Sequence, residues 1–173
     1  YETKPKMTIT QNINGALFKK NESHVFSYDD YQITSKENSI YNNTFIIIED
    51  TLINIDGPFE VIKGPIKVIP KNISFKNDME LIYVGDTNKG AIFNYNSMKN
   101  KWYYMKKYNE KGMNTKIYSG GIFAVLNENI KPKISNKIPN NNSVYKSNDL
   151  VEILFNATDE HSGIDYNSII VRT

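Results

Sequence analysis

The 173-residue chain has no cysteine. Disulfide cross-links, thiolate zinc sites and a cysteine nucleophile are thereby excluded. Histidine is almost as scarce, with only His24 and His161. No apolar run approaches the ~18 residues of a membrane-spanning helix, so no membrane insertion is expected. Charge of one sign is missing too. Lys and Arg number 21 against 19 Asp and Glu, a net +2, which is no polyanion-binding signature and argues against nucleic acid. No segment keeps a 3.6-residue apolar period with caps, so helices are not expected. No signal peptide is visible, and a chain opening on Tyr1 reads as a piece of something longer.

What is there can fold. With 39% hydrophobic and 12% aromatic residues the chain can bury a core. Surplus Asn, Lys, Ile and Tyr point to an AT-rich genome, a matter of codons and not of chemistry. Short alternating or β-branched stretches recur at 7–10, 23–28, 31–33 and 45–48. Residues 52–55 read as a partner strand to 45–48. Further strands are expected at 59–62 and 66–69, split by Lys63-Gly64-Pro65, and at 73–75 and 79–84. Turn signals every 8–12 residues between them are the pattern of an all-β antiparallel sandwich.

The organising stretch is 91–126. Residues 92–95 alternate, 96–100 turn, 102–105 return, and 115–118 lead into 122–126. Asn100 stands where such a hairpin needs a positive φ, which Asn tolerates better than any residue except Gly. Trp102, the single tryptophan, is the expected anchor of a sheet packed on a sheet, in a core and not in an active site. The first domain is placed at 1–129. From Ile130 the pattern changes, and 130–173 reads as a partial immunoglobulin-like module. There 150–156 is a strand with Val151, Ile153 and Phe155 on one face, and 168–171 is the next. Two or three strands are fewer than the roughly seven of a full sandwich.

Several side chains invite chemistry. Asp159, Glu160 and Asp165 share one turn, and hard oxygen ligands on a loop can hold Ca²⁺. The alternative is that Asp159 satisfies backbone N–H groups of the Ser162-Gly163 turn. Asp29-Asp30 and Asp86 are weaker Ca²⁺ candidates. Lys99, Lys101, Lys106 and Lys107 interleave with Trp102, Tyr103, Tyr104 and Tyr108. Cations beside stacking aromatics suit single strands or a glycan, but a hairpin with a Lys-decorated edge gives the same string. Tyr103 and Tyr108 are the candidate glycan contacts. No cofactor is implied.

Two stretches carry a family resemblance. Ile92-Phe93-Asn94-Tyr95-Asn96 to Trp102, then Gly121 to Asn127, then Lys131-Pro132-Lys133-Ile134 resemble a hairpin pattern of exported bacterial proteins. In that pattern Tyr-Asp-x-x-x-Gly-x-Trp precedes Gly-x-Phe/Tyr-x-Val/Leu-x-Asp-x-x-x-Pro-x-Ile. The stretch from Phe155 to Asp165 is similar to the Asp-x-x-Ser-Gly-Ile turn of the immunoglobulin-like modules that follow. The layout resembles the non-catalytic tail of lysostaphin-type zinc peptidases of Bacteroidota, and 12–28 resembles the opening of the sandwich module of ankyrins and netrin receptors. Asn127 and Asn129 stand where the pattern has Asp, and Asn100 where it has Gly. A peptidase of that family needs a His-x-x-x-Asp and a His-x-His pair. His24 and His161 supply neither, and no Ser or Cys nucleophile is motif-placed beside them. His24 is expected to be a plain rim histidine and His161 a solvent-exposed turn residue.

The resemblance implies a non-catalytic accessory or spacer region of an exported bacterial envelope or surface protein. It would be periplasmic, cell-surface or extracellular, with neighbouring domains of the same polypeptide as partners. The alternatives are a wall- or surface-polysaccharide-binding module and a regulatory tail of a peptidoglycan metallopeptidase. If the boundary lies at Asn129, limited proteolysis will cut first within 140–146 and release or degrade the tail. A tail as resistant as residues 7–126 places it inside the first fold instead.

Overall fold

The computed structural model describes residues 13–71, 73–86, 90–108, 112–138, 144, 146, 148, 152–159, 164 and 169–170. Strand candidate 7–10 lies outside them. No helix occurs among the described residues.

Among the described residues ten strands build an antiparallel β-sandwich. One sheet holds β1 (Gly15–Phe18), β4 (Thr44–Asp50), β5 (Phe59–Ile69), β10 (Gly121–Glu128), β7 (Ala91–Asn96) and β8 (Lys101–Tyr104), in that spatial order. The other holds β2 (His24–Tyr28), β3 (Tyr31–Ser35), β6 (Ser74–Tyr83) and β9 (Met113–Ser119), again in that order. Alternation explains the pairing of faces. Tyr31 and Ile33, Ile46 and Ile48, Ile66 and Val68, and Phe123 and Val125 all turn inward to one buried cluster between the sheets. Every neighbour pair from β1 through β4 and β5 to β10 is antiparallel. The start of β1 and the end of β10 therefore lie at the same end of the sheet.

Several expected boundaries move. Residues 59–69 form one eleven-residue strand. Gly64 and Pro65 together face Ala124, between the pairs Phe123–Ile66 and Val125–Lys63, so the turn signal marks a bulge. Proline is tolerated there because a bulge needs no ladder donor. Residues 74–83 are likewise one strand, with its register slipped between Ser74 and Met79. The slip is held by Lys76 and Asn77, whose N–H groups both donate to the Ser39 carbonyl, at 2.8 and 3.3 Å.

Residues 52–55 are not a strand, and the neighbours of β4 are β1 and β5. This segment packs instead on the outer face of the six-stranded sheet. Ile53 and Ile55 cover a second apolar cluster of Phe93, Trp102, Ala124 and Leu126, while Leu52 is fully exposed. Trp102 is thus buried as expected, at 6% exposure, but outside the inter-sheet core. Its ring lies 5.1 Å from Tyr95, and Phe93 lies edge-on to both Phe59 and Tyr104. β10 accordingly reads as the unbroken apolar run Ile122 to Leu126, because both its faces are covered.

The chain crosses between sheets at a tight corner. The Gly120 N–H donates to the Pro70 carbonyl at 3.2 Å, joining the β9–β10 and β5–β6 connections. A Cβ at Gly120 would sit 2.4 Å from two carbonyl oxygens, those of Val68 and Pro70. Only glycine fits so close an approach.

β11 (Lys133–Ile138) and β12 (Leu154–Thr158) pair with each other as a separate two-stranded sheet. The strand expected at 150–156 is shifted forward, because Ala157 pairs with Ile134 on β11. Val151 is outside the described residues. Ile169 and Ile170 lie in no strand, and the ends of the expected strand 168–171 fall outside the described residues; among the described residues the partner of β12 is β11. Asn136, at φ 49°, takes up the extra residue of a bulge in β11.

Trp102→Ala is expected to cost about 3–5 kcal/mol, as for large buried aromatics elsewhere. Urea unfolding measures it. A variant as stable as the parent would contradict the burial of the indole beneath the 51–58 segment.

Candidate functional site

Two groups of side chains bear on function. The first is at the tip of the β2–β3 hairpin, where Asp29 at φ 50° and Asp30 form the two-residue turn. Lys63, on the bulged part of β5, reaches across the sandwich. Its ammonium donates to Asp30 Oδ2 at 2.7 Å and also contacts the Asp29 carboxylate. Beside it the buried Tyr31 hydroxyl donates to the Gly64 carbonyl at 3.3 Å. Burial first, and then the Asp50 carboxylate, raise the Tyr28 phenol above its ordinary value. Lys63 and Tyr31 thus tie one hairpin to β5. The Asp29-Asp30 pair already holds a cation, the Lys63 ammonium, which removes its appeal as a Ca²⁺ site.

His24 is half-buried and engaged. Its ring stacks on Phe18 at 4.8 Å, and Nε2 lies 2.7 Å from the Lys19 N–H, which donates to it. Asp159 is partly buried beyond β12. Glu160, Asp165 and His161 fall outside the described residues. Among the described residues no three His, Asp or Glu converge as a metal set, and no helix is long and apolar enough to cross a membrane.

The second lines a cleft of about 310 Å³ between residues 54–57 and the β7–β8 hairpin. Phe59, Tyr95, Trp102 and Tyr103 line it. Asn54 Nδ2 donates to Asp56 Oδ1 at 2.6 Å on one rim. On the other the Tyr95 hydroxyl donates to Asn100 Oδ1. Asn100 takes φ 50°, as its place in the turn requires, and Asn96 Oδ1 accepts from the N–H groups of Met98 and Lys99. The indole Nε1 of Trp102 is buried and has no hydrogen-bond acceptor among the described residues.

Tyr103 and Tyr108 do not form one platform. Tyr103 is 41% exposed on β8, with the Lys99 ammonium 5.9 Å from its ring. Tyr108 is 43% exposed beside β9, where its N–H donates to the Asn114 carbonyl at 3.1 Å. The Lys116 ammonium sits 4.3 Å from the Tyr108 ring and 2.5 Å from Asp78, whose carboxyl that bond holds below its ordinary value. The chain between the two tyrosines passes from the edge of one sheet to the edge of the other. Asn54, Asp56 and Trp102 were not singled out as site residues from the sequence. A signal for the aromatic wall existed in the unbroken apolar run of β10, which requires a cover on the outer face of its sheet.

Comparison with protein families, with curated proteins and with solved structures finds no match.

Burial, and next the neighbouring Tyr83, push the Tyr31 phenol well above its ordinary 10.0. Donation to the Asp29 and Asp30 carboxylates pushes Lys63 above its ordinary 10.5. Both groups keep their protons in the folded state at pH values where the unfolded chain loses them. Their contribution is full below pH 10 and is lost as pH rises beyond it. Melting temperature is expected to hold near neutral pH and to fall above pH 10, with a shallower fall in Tyr31→Phe. An identical alkaline slope in that variant would contradict the buried phenol.

Proposed function

We propose that this chain is a non-catalytic accessory region of an exported bacterial envelope or surface protein, a β-sandwich that positions or docks a neighbouring domain. The observation that carries this reading is how the reactive side chains are engaged. His24 closes the β1–β2 connection against Phe18 and Lys19. Asp29, Asp30, Lys63 and Tyr31 hold the two sheets together. Groups committed to such bonds are poor nucleophiles and poor proton carriers, because catalysis would have to break the fold's own contacts.

The β11–β12 pair supports docking. It leaves Ile134, Ile138 and Leu154 about half exposed, and a two-stranded sheet is marginal in water without a further surface to pack on. A neighbouring domain of the same polypeptide supplies that surface in this reading, with β11–β12 as part of an immunoglobulin-like module. The resemblance to lysostaphin-type tail regions is in keeping with such a setting.

The 173-residue protein is expected to hydrolyse neither peptidoglycan nor ester substrates, with or without added Zn²⁺. Metal-dependent turnover that disappears in His24→Ala or His161→Ala would overturn the proposal.

A further inference from the structure

We propose that the cleft between residues 54–57 and the β7–β8 hairpin binds a neutral saccharide, one or two sugar rings at the end or edge of a glycan. The inference goes beyond the accessory role and does not depend on it. A sugar ring has an apolar C–H face and a rim of hydroxyls that both donate and accept. The cleft offers the complement of each.

The wall is aromatic. Tyr95, Trp102 and Phe59 supply it, Tyr95 and Trp102 side by side on one face of the β7–β8 hairpin. The rim is made of amides and a carboxylate held by bonds of their own. With Asn54 Nδ2 on Asp56, the Asn54 carbonyl oxygen and the second Asp56 oxygen remain as acceptors. With the Tyr95 hydroxyl on Asn100 Oδ1, the Asn100 amide nitrogen remains as a donor. These groups keep their orientation without a ligand, which reduces the ordering cost of binding.

Charge and volume narrow the class. Asp56 and Lys101 are the two charged residues in the lining, and they cancel. A phosphorylated or nucleotide ligand would need excess positive charge, and a lipid tail would not tolerate the polar rim. About 310 Å³ is at the lower end of the range for small-molecule sites, room for a ring or two.

Trp102 is the only tryptophan, so its emission reports on the cleft directly. The full chain is titrated separately with tetrasaccharides of β-1,4-glucose, β-1,4-N-acetylglucosamine and α-mannose. At least one is expected to shift Trp102 emission saturably, with Kd at or below about 1 mM. Asn54→Ala and Asp56→Ala should each weaken that binding by about tenfold or more, while Tyr108→Ala, beside β9 at the edge of the other sheet, leaves it unchanged. Both cleft variants change exposed residues, and melting temperature checks that they fold. No saturable shift with any of the three sugars overturns the proposal, as does binding that both folded cleft variants retain in full. Either result leaves the accessory role standing.

Discussion

The Lys63 ammonium, held between Asp29 and Asp30, fixes how the two sheets face each other. Energetically the contact is modest. A partly exposed ion pair contributes on the order of 0–1 kcal/mol, whereas each large apolar side chain buried between the sheets contributes about 1.5–3 kcal/mol. Its importance is one of register. The hairpin tip can reach Lys63 only when Tyr31 and Ile33 point inward, and a slip of one residue would turn both to solvent. The bulge at Gly64-Pro65 serves the same end, since it leaves the Gly64 carbonyl as the acceptor for Tyr31. Hairpin turn, bulge and buried phenol are parts of one arrangement.

The six-stranded sheet has a second constraint, a face turned away from the other sheet that is still apolar. Residues 51–58 answer it by lying over Phe93, Trp102, Ala124 and Leu126. They are pinned at both ends, Thr51 N–H to the Pro65 carbonyl and the Pro58 carbonyl to the Asn129 N–H, each at 3.1 Å. A segment anchored at its ends and resting on aromatic rings leaves a gap where the rings run past its edge. The cleft is that gap.

Strand existence could be read from the sequence because alternation is a local property, and it placed most of the sandwich strands. Breaks were harder. Lys63-Gly64-Pro65 and the polar residues 76–78 look like turns, yet both are irregularities inside continuous strands, held by contacts from loops far away in sequence. The alternation of Leu52 to Ile55 misled for the opposite reason. A segment with one apolar side has the same pattern whether it pairs in a sheet or lies across one. Asn100 was legible because a positive φ is a demand on a single residue. The cleft was not, since Asn54 and Asp56 meet Tyr103 only through the fold. Tyr103 and Tyr108 are close in sequence and apart in space for the same reason.

The entry to β1 and the exit from β10 at one end of the six-stranded sheet bear on mechanics. Tension along the polypeptide arrives at that end from both sides. Ladder bonds next to it are then loaded one after another, as in opening a zipper, and not all together in shear. A module of this kind yields at low force and adds little to the reach of the chain it belongs to. It hangs to the side of the main line, with the Gly120 corner and the β7–β8 turn directed outward.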